Sequence, residues 1–370
     1  MQTFLPFRQI PPEFRPGQQV TVVEAALSGV QAYIFSDQSI YGSGDLLSAK
    51  SAYIQNLTQK LDRLLCGHFA PGMYKTLSCS SGKVIAAVCG RMDVARFRCF
   101  ADDLQLDIFS ITRGTLQLNW ATAKATVCTL QQLPPQALTV SQKLMEDVGA
   151  AKYRAENLLR SAPRQSSLYG LSLEQLAEVK RSRIPTEDCV AIKLDLDNLG
   201  AFFSSLTAFD VHNAASQALD RVISGCSCRV VYAGGDDVFA IAPLSEALRT
   251  IADMYQKIWI GVNNDPRLQP YVPHFSISGG AVPIPFANGK VPAAYYFSES
   301  EEMLKKAKKT KNCICIAGLL YSWRDIVKIA GLFEKHLPLL RKQIGDRFMQ
   351  DYYLDPKQIT HKLAQLGLLR

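Results

Sequence analysis

The sequence predicts an α+β fold made of two related halves, and three observations support this class. Short β-prone runs alternate with segments whose apolar residues recur at helical spacing. The order β-α-β-β-α-β is found once in residues 1–133 and again in residues 189–320. Each half also has a predicted hairpin at its centre, so the pattern is an internal repeat of one α+β unit.

The first half shows this order one element at a time. The run QVTVVEAAL (19–27) predicts a strand, and apolar positions over about residues 46–65 predict a helix. The runs MYKTLSCSS and KVIAAVCG, joined by Ser81 and Gly82, predict the hairpin. A helix over about residues 91–106 and the strand TLQLNWATA complete the unit.

The second half repeats the order with an acidic variation. The strand CVAIKLDLD (189–197) ends in acids and is followed by the helical segments NLGAFFSSL and NAASQALDRVISG. CRVVYAG and DVFAIAPL predict two strands joined through a Gly-Gly-Asp-Asp turn. The remaining elements are the helix SEALRTIADMYQKIWIGV, the strand HFSISGGAVPI, the helix PAAYYFSESEEMLKKAKKTK and the strand CICIAGLL. Residues 134–188 predict a helical linker, and residues 321–370 predict a short C-terminal helical cap.

Length and composition limit the possible classes of protein. The chain has 370 residues, of which 48% are hydrophobic and 20% are charged, as in globular proteins of more than one domain. No stretch is apolar enough to span a bilayer, and the N-terminus lacks the apolar segment of a signal peptide. We therefore expect a cytoplasmic protein with no membrane partner. The formal net charge of +8 suits a phosphate-rich partner, either a nucleotide or RNA.

Ten cysteines raise the alternatives of disulfides or a zinc site. None of them forms a CxxC pair, the usual first half of a zinc ribbon. The two C-x-C pairs lie in the apolar runs SGCSCRVVY and KNCICIAG, where alternate residues point to one face of a sheet. We therefore expect reduced cysteines in the core.

The segment VVYAGGDDVFAI (230–241) is the strongest candidate for a site. Its glycines permit a close approach to the backbone, and its adjacent carboxylates repel each other until a cation lies between them. A hairpin with a solvated acidic tip is the alternative interpretation. Because the first and third strands of a β-α-β-β unit are neighbours, we expect Asp195 to lie near Asp236 and Asp237. Such a cluster suits two Mg²⁺ or Mn²⁺ ions, which would activate a 3′-hydroxyl and stabilise a leaving pyrophosphate.

Candidate phosphate-binding residues lie on either side of these acids. Asn198 and Gly200 follow the acidic strand end and open a helix, so free backbone N–H groups there can face a triphosphate. A structural role for Asp197 as the N-cap of that helix is an equal alternative. The run EEMLKKAKKTKN places Lys308 just before the last strand, where a phosphate ligand is expected. A solvated basic helix face is the alternative for this run.

The order of these motifs resembles a known family. DLDNLG, YAGGDDVFAI, SISGGAVPI and a lysine-bearing AK resemble the catalytic palm of the large subunit of type III CRISPR effector complexes. ALSGVQAYIF and LLSAKSAYIQNL resemble the first palm of that subunit, and CSSGKVIAAV matches its glycine-rich hairpin without acids. The resemblance covers roughly residues 20–318. It implies two ferredoxin-like palm domains, a non-catalytic one in residues 1–133 and a catalytic one in residues 189–320.

The resemblance also implies a function and a set of site residues. It implies a nucleotidyltransferase that joins ATP 3′ to 5′ and closes the chain into cyclic oligoadenylates in antiviral defence. Asp195, Asp236 and Asp237 would hold the metal ions. The nucleotide would be bound by Gly234, Gly235, Asn198, Gly200, Ser278 and Lys308. The implied partners are guide-RNA-containing effector subunits and, through them, target RNA.

The chain departs from the family pattern in ways that predict a compact version of the subunit. We expect no HD nuclease domain before the first palm, no zinc-binding insertion in residues 134–188, and a short C-terminal helical part. A catalytically silent, nucleotide-binding subunit of the ribonucleoprotein is the alternative function, and a stand-alone diguanylate-type cyclase is a third. The acids are intact, which favours the enzyme.

Overall fold

The structure of the chain is a computed structural model that describes residues 2–35, 40–90, 92–112, 114–148, 187–199, 209–223, 229–234, 237–286 and 293–369. Only the backbone is described for residues 40–46, 220–223, 229–232, 347–348 and 350. Residue contacts divide the chain into two compact units. The first unit comprises Met1–Ile34, Ala49–Lys180 and Leu199–Ala214, and the second comprises Phe35–Ser48, Arg181–Asn198 and Ala215–Arg370. The predicted domain boundaries at residues 133, 188 and 320 stay predictions.

The first unit is built on a six-stranded sheet. Its strands are β1 (Thr3–Phe7), β2 (Gln19–Ser28), β3 (Tyr74–Ser80), β4 (Lys83–Cys89), β5 (Gln117–Thr129) and β6 (Leu138–Thr139). They lie in the order β3-β4-β2-β5-β1-β6. The helices that occur between β2 and β5 along the chain are α1 (Val30–Phe35), α2 (Ile40–His68) and α3 (Val94–Ile111). Residues 140–148 are also helical.

The strand β1 was not predicted. It lies in a proline-rich start, yet it pairs in parallel with both β5 and β6, and its Leu5 is fully buried. Five residues that contain a proline have little intrinsic strand signal, so the pairing with β5 decides their structure.

The second unit is built on another six-stranded sheet. Its strands are β7 (Cys189–Asp197), β8 (Arg229–Gly234), β9 (Asp237–Pro243), β10 (Ser276–Ile284), β11 (Cys313–Ile316) and β12 (Leu319–Ser322). They lie in the order β12-β11-β10-β7-β9-β8. The helices of this part of the chain are α4 (Phe209–Ile223), α5 (Ala247–Asn264), α6 (Ala293–Thr310), α7 (Trp323–Ile344) and α8 (Pro356–Gln365).

The two sheets share one arrangement of four strands. In the first, β2 pairs antiparallel with both β4 and β5; in the second, β7 pairs antiparallel with both β9 and β10. Both central hairpins have a register shift in their first strand, between Thr76 and Ser78 and between Val230 and Tyr232. The predicted α+β fold with two palm-like units is therefore confirmed.

The segment CICIAGLL, predicted as one strand, is a hairpin. β11 ends at Ile316 and β12 begins at Leu319, and the two strands pair antiparallel. Ala317 and Gly318 make the two-residue turn with φ angles of +46° and +92°. Two residues with positive φ are the geometry of a tight hairpin turn, so the Ala-Gly pair was the signal that this prediction missed.

Gly280 allows helix α6 to pack directly on strand β10. A Cβ atom on Gly280 would lie 2.5 Å from the backbone nitrogen of Leu304, so no larger residue fits without moving the helix. The buried side of α6 includes Ser300, Leu304 and Ala307. This close packing fixes the helix over the face of the sheet to which the polar residues of β7 point.

The C-terminal residues contain helices α7 and α8, as the predicted helical cap requires. The Trp323 indole N–H donates a hydrogen bond of 2.6 Å to the carbonyl oxygen of Ile277 on β10. Its ring also stacks on Tyr255 at a centroid distance of 4.4 Å. Trp323 therefore joins α7 to the second sheet.

Three further expectations concern parts of the chain that are only partly described. The predicted helical linker is described at residues 134–148 and 187–188, and its first part differs from the prediction because β6 joins the first sheet there before the helical residues 140–148. The helix predicted over NLGAFFSSL falls mostly on residues 200–208, outside the described residues. Within the described ranges, none of the helices combines the length and apolarity needed to cross a bilayer. All eight cysteines in those ranges are free thiols, but only Cys128, Cys189, Cys313 and Cys315 are buried, whereas Cys79 and Cys89 are partly buried and Cys66 and Cys99 are exposed. The predicted core position therefore holds for half of them, and Cys226 and Cys228 lie outside the described residues.

Candidate active site

The acidic end of strand β7 lies directly opposite the start of strand β9. The register pairs Asp195 with Asp237 on one side and with Ser278 of β10 on the other. Directly opposed residues in antiparallel strands point to the same face, with Cβ atoms about 4.5–5.5 Å apart. The neighbouring first and third strands that we predicted therefore bring these two carboxylates together.

Strand β7 has one apolar face and one polar face. All nine of its residues are buried. Because side chains alternate along a strand, Lys193, Asp195 and Asp197 share the face that helix α6 covers. Three charged residues on a buried face require partners, since an unpaired buried charge is costly.

Asp195 and Asp237 each have a lysine partner. The Nζ atom of Lys308 on α6 lies 2.8 Å from Oδ1 of Asp195, whose side chain is 6% exposed. The Nζ atom of Lys193 lies 3.5 Å from Oδ2 of Asp237. The ammonium groups of the protein thus compensate both carboxylates.

Lys193 is a buried cation that the sequence analysis missed. Its side chain is 2% exposed, and its Nζ atom also binds the carboxylate of Glu301 on α6. The same atom lies 4.4 Å from the ring centroid of Phe297, close enough for a cation–π interaction. The alternation K-L-D-L-D was the available signal for a charged face, but it did not show what covers that face.

Asp197 and Asn198 fix the end of β7 to the start of β10. The Asp197 carboxylate accepts hydrogen bonds from the hydroxyls of Ser276 at 2.6 Å and Ser278 at 2.8 Å. Asn198 has a φ of +70°, donates its side-chain amide to the His274 carbonyl at 2.9 Å, and accepts from Lys311 at 2.6 Å. Asp197, which was the alternative N-cap, is therefore bound across strands.

These contacts assign structural bonds to two residues that were predicted to bind nucleotide. Ser278 is fully buried, and its hydroxyl holds Asp197. Asn198 uses both ends of its side-chain amide within the protein. Their predicted nucleotide contacts stay predictions.

The other predicted site residues are distributed around the same hairpin. Gly234 pairs with Asp237 and closes it. Gly235, Asp236 and Gly200 lie outside the described residues. Lys308 is close to the acids, through its ion pair with Asp195.

The donor set fits a hard divalent cation. Two carboxylates that share one sheet face offer the oxygen ligands that Mg²⁺ and Mn²⁺ prefer, with remaining positions left to water or phosphate. No group of three or more His, Cys, Asp or Glu is placed as a metal site within the described ranges, which exclude Asp236. Asp195 and Asp237 are the described residues that would hold such an ion, which would compete with their ammonium partners for the carboxylate oxygens.

The comparison with protein families concerns this same unit. Residues 189–315 match the model of the second palm domain of Cas10/Cmr2. The matched interval runs from the first residue of β7 into β11 and includes every acid and lysine described above. This part of the chain is thus similar to the second palm domain of Cas10/Cmr2.

Solved structures extend this similarity beyond the second palm. A Csm1–Csm4 cassette in complex with pppApApA has a TM-score of 0.62 at 14% identity and covers 96% of this chain and 65% of that chain. The cassette in complex with cA4 has a TM-score of 0.60 at 14% identity and covers 94% and 65%. Csm1 in T. onnurineus has a TM-score of 0.58 at 15% identity and covers 95% and 64%.

These similarities support the fold and the domain, each within a limit. At such identities the solved structures show a shared fold, and the chain spans less than two thirds of each of these three solved chains. No curated protein matches the chain. The predicted resemblance to the palm-containing subunit is therefore confirmed, whereas the expected compactness stays a prediction.

Proposed function

We propose that the chain is a nucleotidyltransferase that converts ATP to cyclic oligoadenylate in CRISPR antiviral defence. The observation that carries the proposal is the pairing of Asp195 with Asp237 at the hairpin of a Cas10/Cmr2 second palm. The complexes of similar structures with pppApApA and cA4 support ATP as the substrate, since both ligands are oligoadenylates.

The residues around the hairpin have separate roles in this proposal. Asp195, Asp236 and Asp237 hold two Mg²⁺ or Mn²⁺ ions, which when bound supply Lewis acidity at the attacking 3′-hydroxyl and the leaving pyrophosphate. The Lys308 side chain is 43% exposed and pairs with Asp195, and in this proposal a triphosphate oxygen replaces that carboxylate when the nucleotide binds. Gly234 leaves bare backbone beside the acids, against which a nucleotide can lie.

The remaining predicted ligands complete the nucleotide site. Gly235 and Gly200, which lie outside the described residues, are proposed nucleotide ligands together with the backbone N–H group of Asn198. Ser278 acts through Asp197, which its hydroxyl holds.

The proposed partners are guide-RNA-containing effector subunits and, through them, target RNA. The Csm1–Csm4 cassettes support an assembly of this kind. The net charge of +8 is consistent with a phosphate-rich partner. The proposed place of action is the cytoplasm.

A catalytically silent, nucleotide-binding subunit is the second candidate. The observation that favours it is that Asp195 and Asp237 each form an ion pair with a lysine. Lys308 lies 2.8 Å from Asp195, and Lys193 lies 3.5 Å from Asp237. If Lys308 stays on Asp195 when ATP binds, that carboxylate has no capacity for a metal ion.

Product analysis tests the two candidates against each other. The purified chain is incubated with each NTP and Mg²⁺ or Mn²⁺, with and without effector subunits, and the products are identified by mass spectrometry. We expect cyclic oligoadenylate from ATP, and none from Asp237→Asn or Asp236→Asn. Asp253→Asn is the matched control, because Asp253 pairs with Lys257 at 2.8 Å on helix α5. ATP binding without any product in every condition would support the silent subunit. Equal turnover in the wild type and in all variants would refute the catalytic role given to Asp236 and Asp237.

A further inference from the structure

Lys193 and Glu301 form an ion pair to which the proposed chemistry assigns no role. The Lys193 side chain is 2% exposed, whereas those of Glu301 and Asp237 are 31% and 21% exposed. One buried ammonium therefore lies between two partly exposed carboxylates, and the Phe297 ring lies on a further side at 4.4 Å.

The burial of Lys193 sets it apart from Lys308. Transfer of an ammonium from water to the interior costs several kcal/mol, so a buried lysine stays with its carboxylates. Lys308 is 43% exposed and can exchange Asp195 for water or phosphate, but Lys193 has no solvent route of that kind. Burial therefore favours Lys193 staying beside Asp237 when the more exposed Lys308 leaves Asp195.

Glu301 determines where this fixed charge stands. It binds the Lys193 ammonium more closely than Asp237 does, whose Oδ2 is at 3.5 Å. The Lys193 ammonium therefore lies close to the Asp237 carboxylate but shares its charge between Asp237 and Glu301. A cation that binds Asp237 must approach within a few ångströms of that charge, and in a partly buried site the repulsion is strong.

We propose that Lys193, held by Glu301, is a positioning residue that orients the Asp237 carboxylate and weakens its hold on a divalent cation. The inference rests on the proposed function and deepens it. Its consequence is that cation binding depends on the negative charge that a triphosphate brings to the site.

Metal binding by the nucleotide-free chain tests this inference independently of turnover. Mn²⁺ affinity is measured by electron paramagnetic resonance for the wild type, Lys193→Met and Glu301→Gln. We expect Lys193→Met to tighten Mn²⁺ binding about fivefold or more, because the repelling charge is gone. Glu301→Gln should weaken it, because Lys193 then has Asp237 as its only carboxylate among these contacts.

An exposed pair on the same helix supplies matched controls. Lys305 and Glu302 lie 2.7 Å apart with side chains 58% and 54% exposed. Lys305→Met and Glu302→Gln make the same changes of net charge outside the site, so we expect Mn²⁺ affinities within about twofold of the wild type. Shifts equal to those at Lys193 and Glu301 would show a general charge effect and overturn the inference.

Steady-state turnover with ATP supplies the second readout. We expect Lys193→Met to lower kcat about tenfold or more with a KM for ATP within about twofold, because Asp237 is misplaced rather than the nucleotide lost. Lys193→Arg keeps the charge and should restore most of kcat.

The outcomes separate this inference from the proposed function. Lys193→Met that leaves Mn²⁺ affinity unchanged or weaker, or no Mn²⁺ binding by either protein, overturns the inference whatever the turnover. If Lys193→Met binds Mn²⁺ more tightly and Glu301→Gln binds it more weakly, but the chain makes no oligoadenylate, the proposed function is overturned and the positioning role is supported. If thermal unfolding shows that Lys193→Met does not fold, the direction of the Glu301→Gln shift decides.

Discussion

The two central hairpins place an ion pair at equivalent positions, with the signs exchanged. In the first sheet, buried Glu24 pairs with Lys83 at 3.2 Å, and Lys83 begins the second strand of the hairpin. In the second sheet, buried Lys193 pairs with Asp237 at 3.5 Å, and Asp237 begins the corresponding strand. Each buried charge lies two residues before the partner of that first residue.

The comparison separates what the fold needs from what the chemistry needs. Both units bury a charge at this position of the central strand and pair it with the first residue of the hairpin's second strand, so the pair itself belongs to the fold. The sign decides which group stands at the hairpin: an ammonium in the first unit and a carboxylate in the second. The second unit then adds Asp195 where the first has Ala26, so only the second has two neighbouring acids.

A neighbouring cross-strand bond confirms that the two ends correspond. Asn119 donates to the Ser28 hydroxyl at 3.0 Å in the first sheet, and Ser278 donates to Asp197 at 2.8 Å in the second. The positions match through the registers of β2 with β5 and β7 with β10. The duplicated geometry therefore extends beyond the hairpin, although its residues differ.

The largest expected effect comes from giving central strand β7 the residue found at the equivalent position of central strand β2. Asp195→Ala should reduce oligoadenylate formation by on the order of 10³-fold or more, because one of the two described carboxylates is lost. The fold should persist, since Lys308 is half-exposed and can be hydrated. Product formation measures the loss, and Ala26→Asp, which adds an acid to strand β2 opposite Lys83, is the control. Retained turnover in Asp195→Ala would break the comparison.

The next effect concerns the helix that covers the acids. Gly280→Ala should lower the free energy of unfolding by about 3 kcal/mol or more, because the new methyl group would meet backbone and not a movable side chain. Denaturant unfolding measures it. Gly331→Ala on helix α7 is the matched control, because a Cβ there meets nothing within 4 Å, and it should stabilise by up to about 1 kcal/mol. Equal effects would show that the close approach of α6 is unimportant.

The basic hairpin of the first unit has a pH-dependent consequence. Burial, and then the charge of Lys83, lower the pKa of His212 from 6.5 to about 4. The unfolded chain therefore binds more protons than the folded chain between these values, so stability is full above pH 6.5 and falls as the pH drops towards 4. The loss is about 2–3 kcal/mol.

Carboxylates also titrate in this range, so the His212 contribution is isolated by difference. Unfolding free energies of the wild type and His212→Asn are compared at pH 7 and pH 4.5. We expect the difference between the two proteins to shrink or change sign at the lower pH. If the difference in unfolding free energy between the wild type and His212→Asn is the same at both pH values, the basic hairpin does not have this pH-dependent consequence.

The smallest effect tests the duplicated cross-strand bond. Ser278→Ala should cost about 1–2 kcal/mol of unfolding free energy, because the buried Asp197 carboxylate keeps only the Ser276 hydroxyl of its two. Asn119→Ala removes the corresponding donor to Ser28, which is a neutral acceptor, and should cost less. Thermal denaturation of both variants measures the ratio, and a larger loss for Asn119→Ala would contradict the proposed correspondence.

The sequence predicted the elements that local patterns determine. β7 has the predicted bounds, and the antiparallel pairing of β7 with β9 follows from the order of the unit. The missed features depend on distant residues. Lys193 finds Glu301, 108 positions along the chain, and the close approach of α6 depends on Gly280. Alternation along a strand shows that one face is charged, but the partner of each charge depends on tertiary packing.

The bare backbone at Gly280 limits how far helix α6 can lie from strand β10 in a redesigned version of this unit. One helix presents Phe297, Glu301 and Lys308 to strand β7, and its height above the sheet is fixed by a gap that admits no methyl group. Raising that helix by the thickness of a single carbon atom would lengthen two ion pairs together. The distances in these ion pairs thus depend on an uncharged steric contact between Gly280 and the helix backbone.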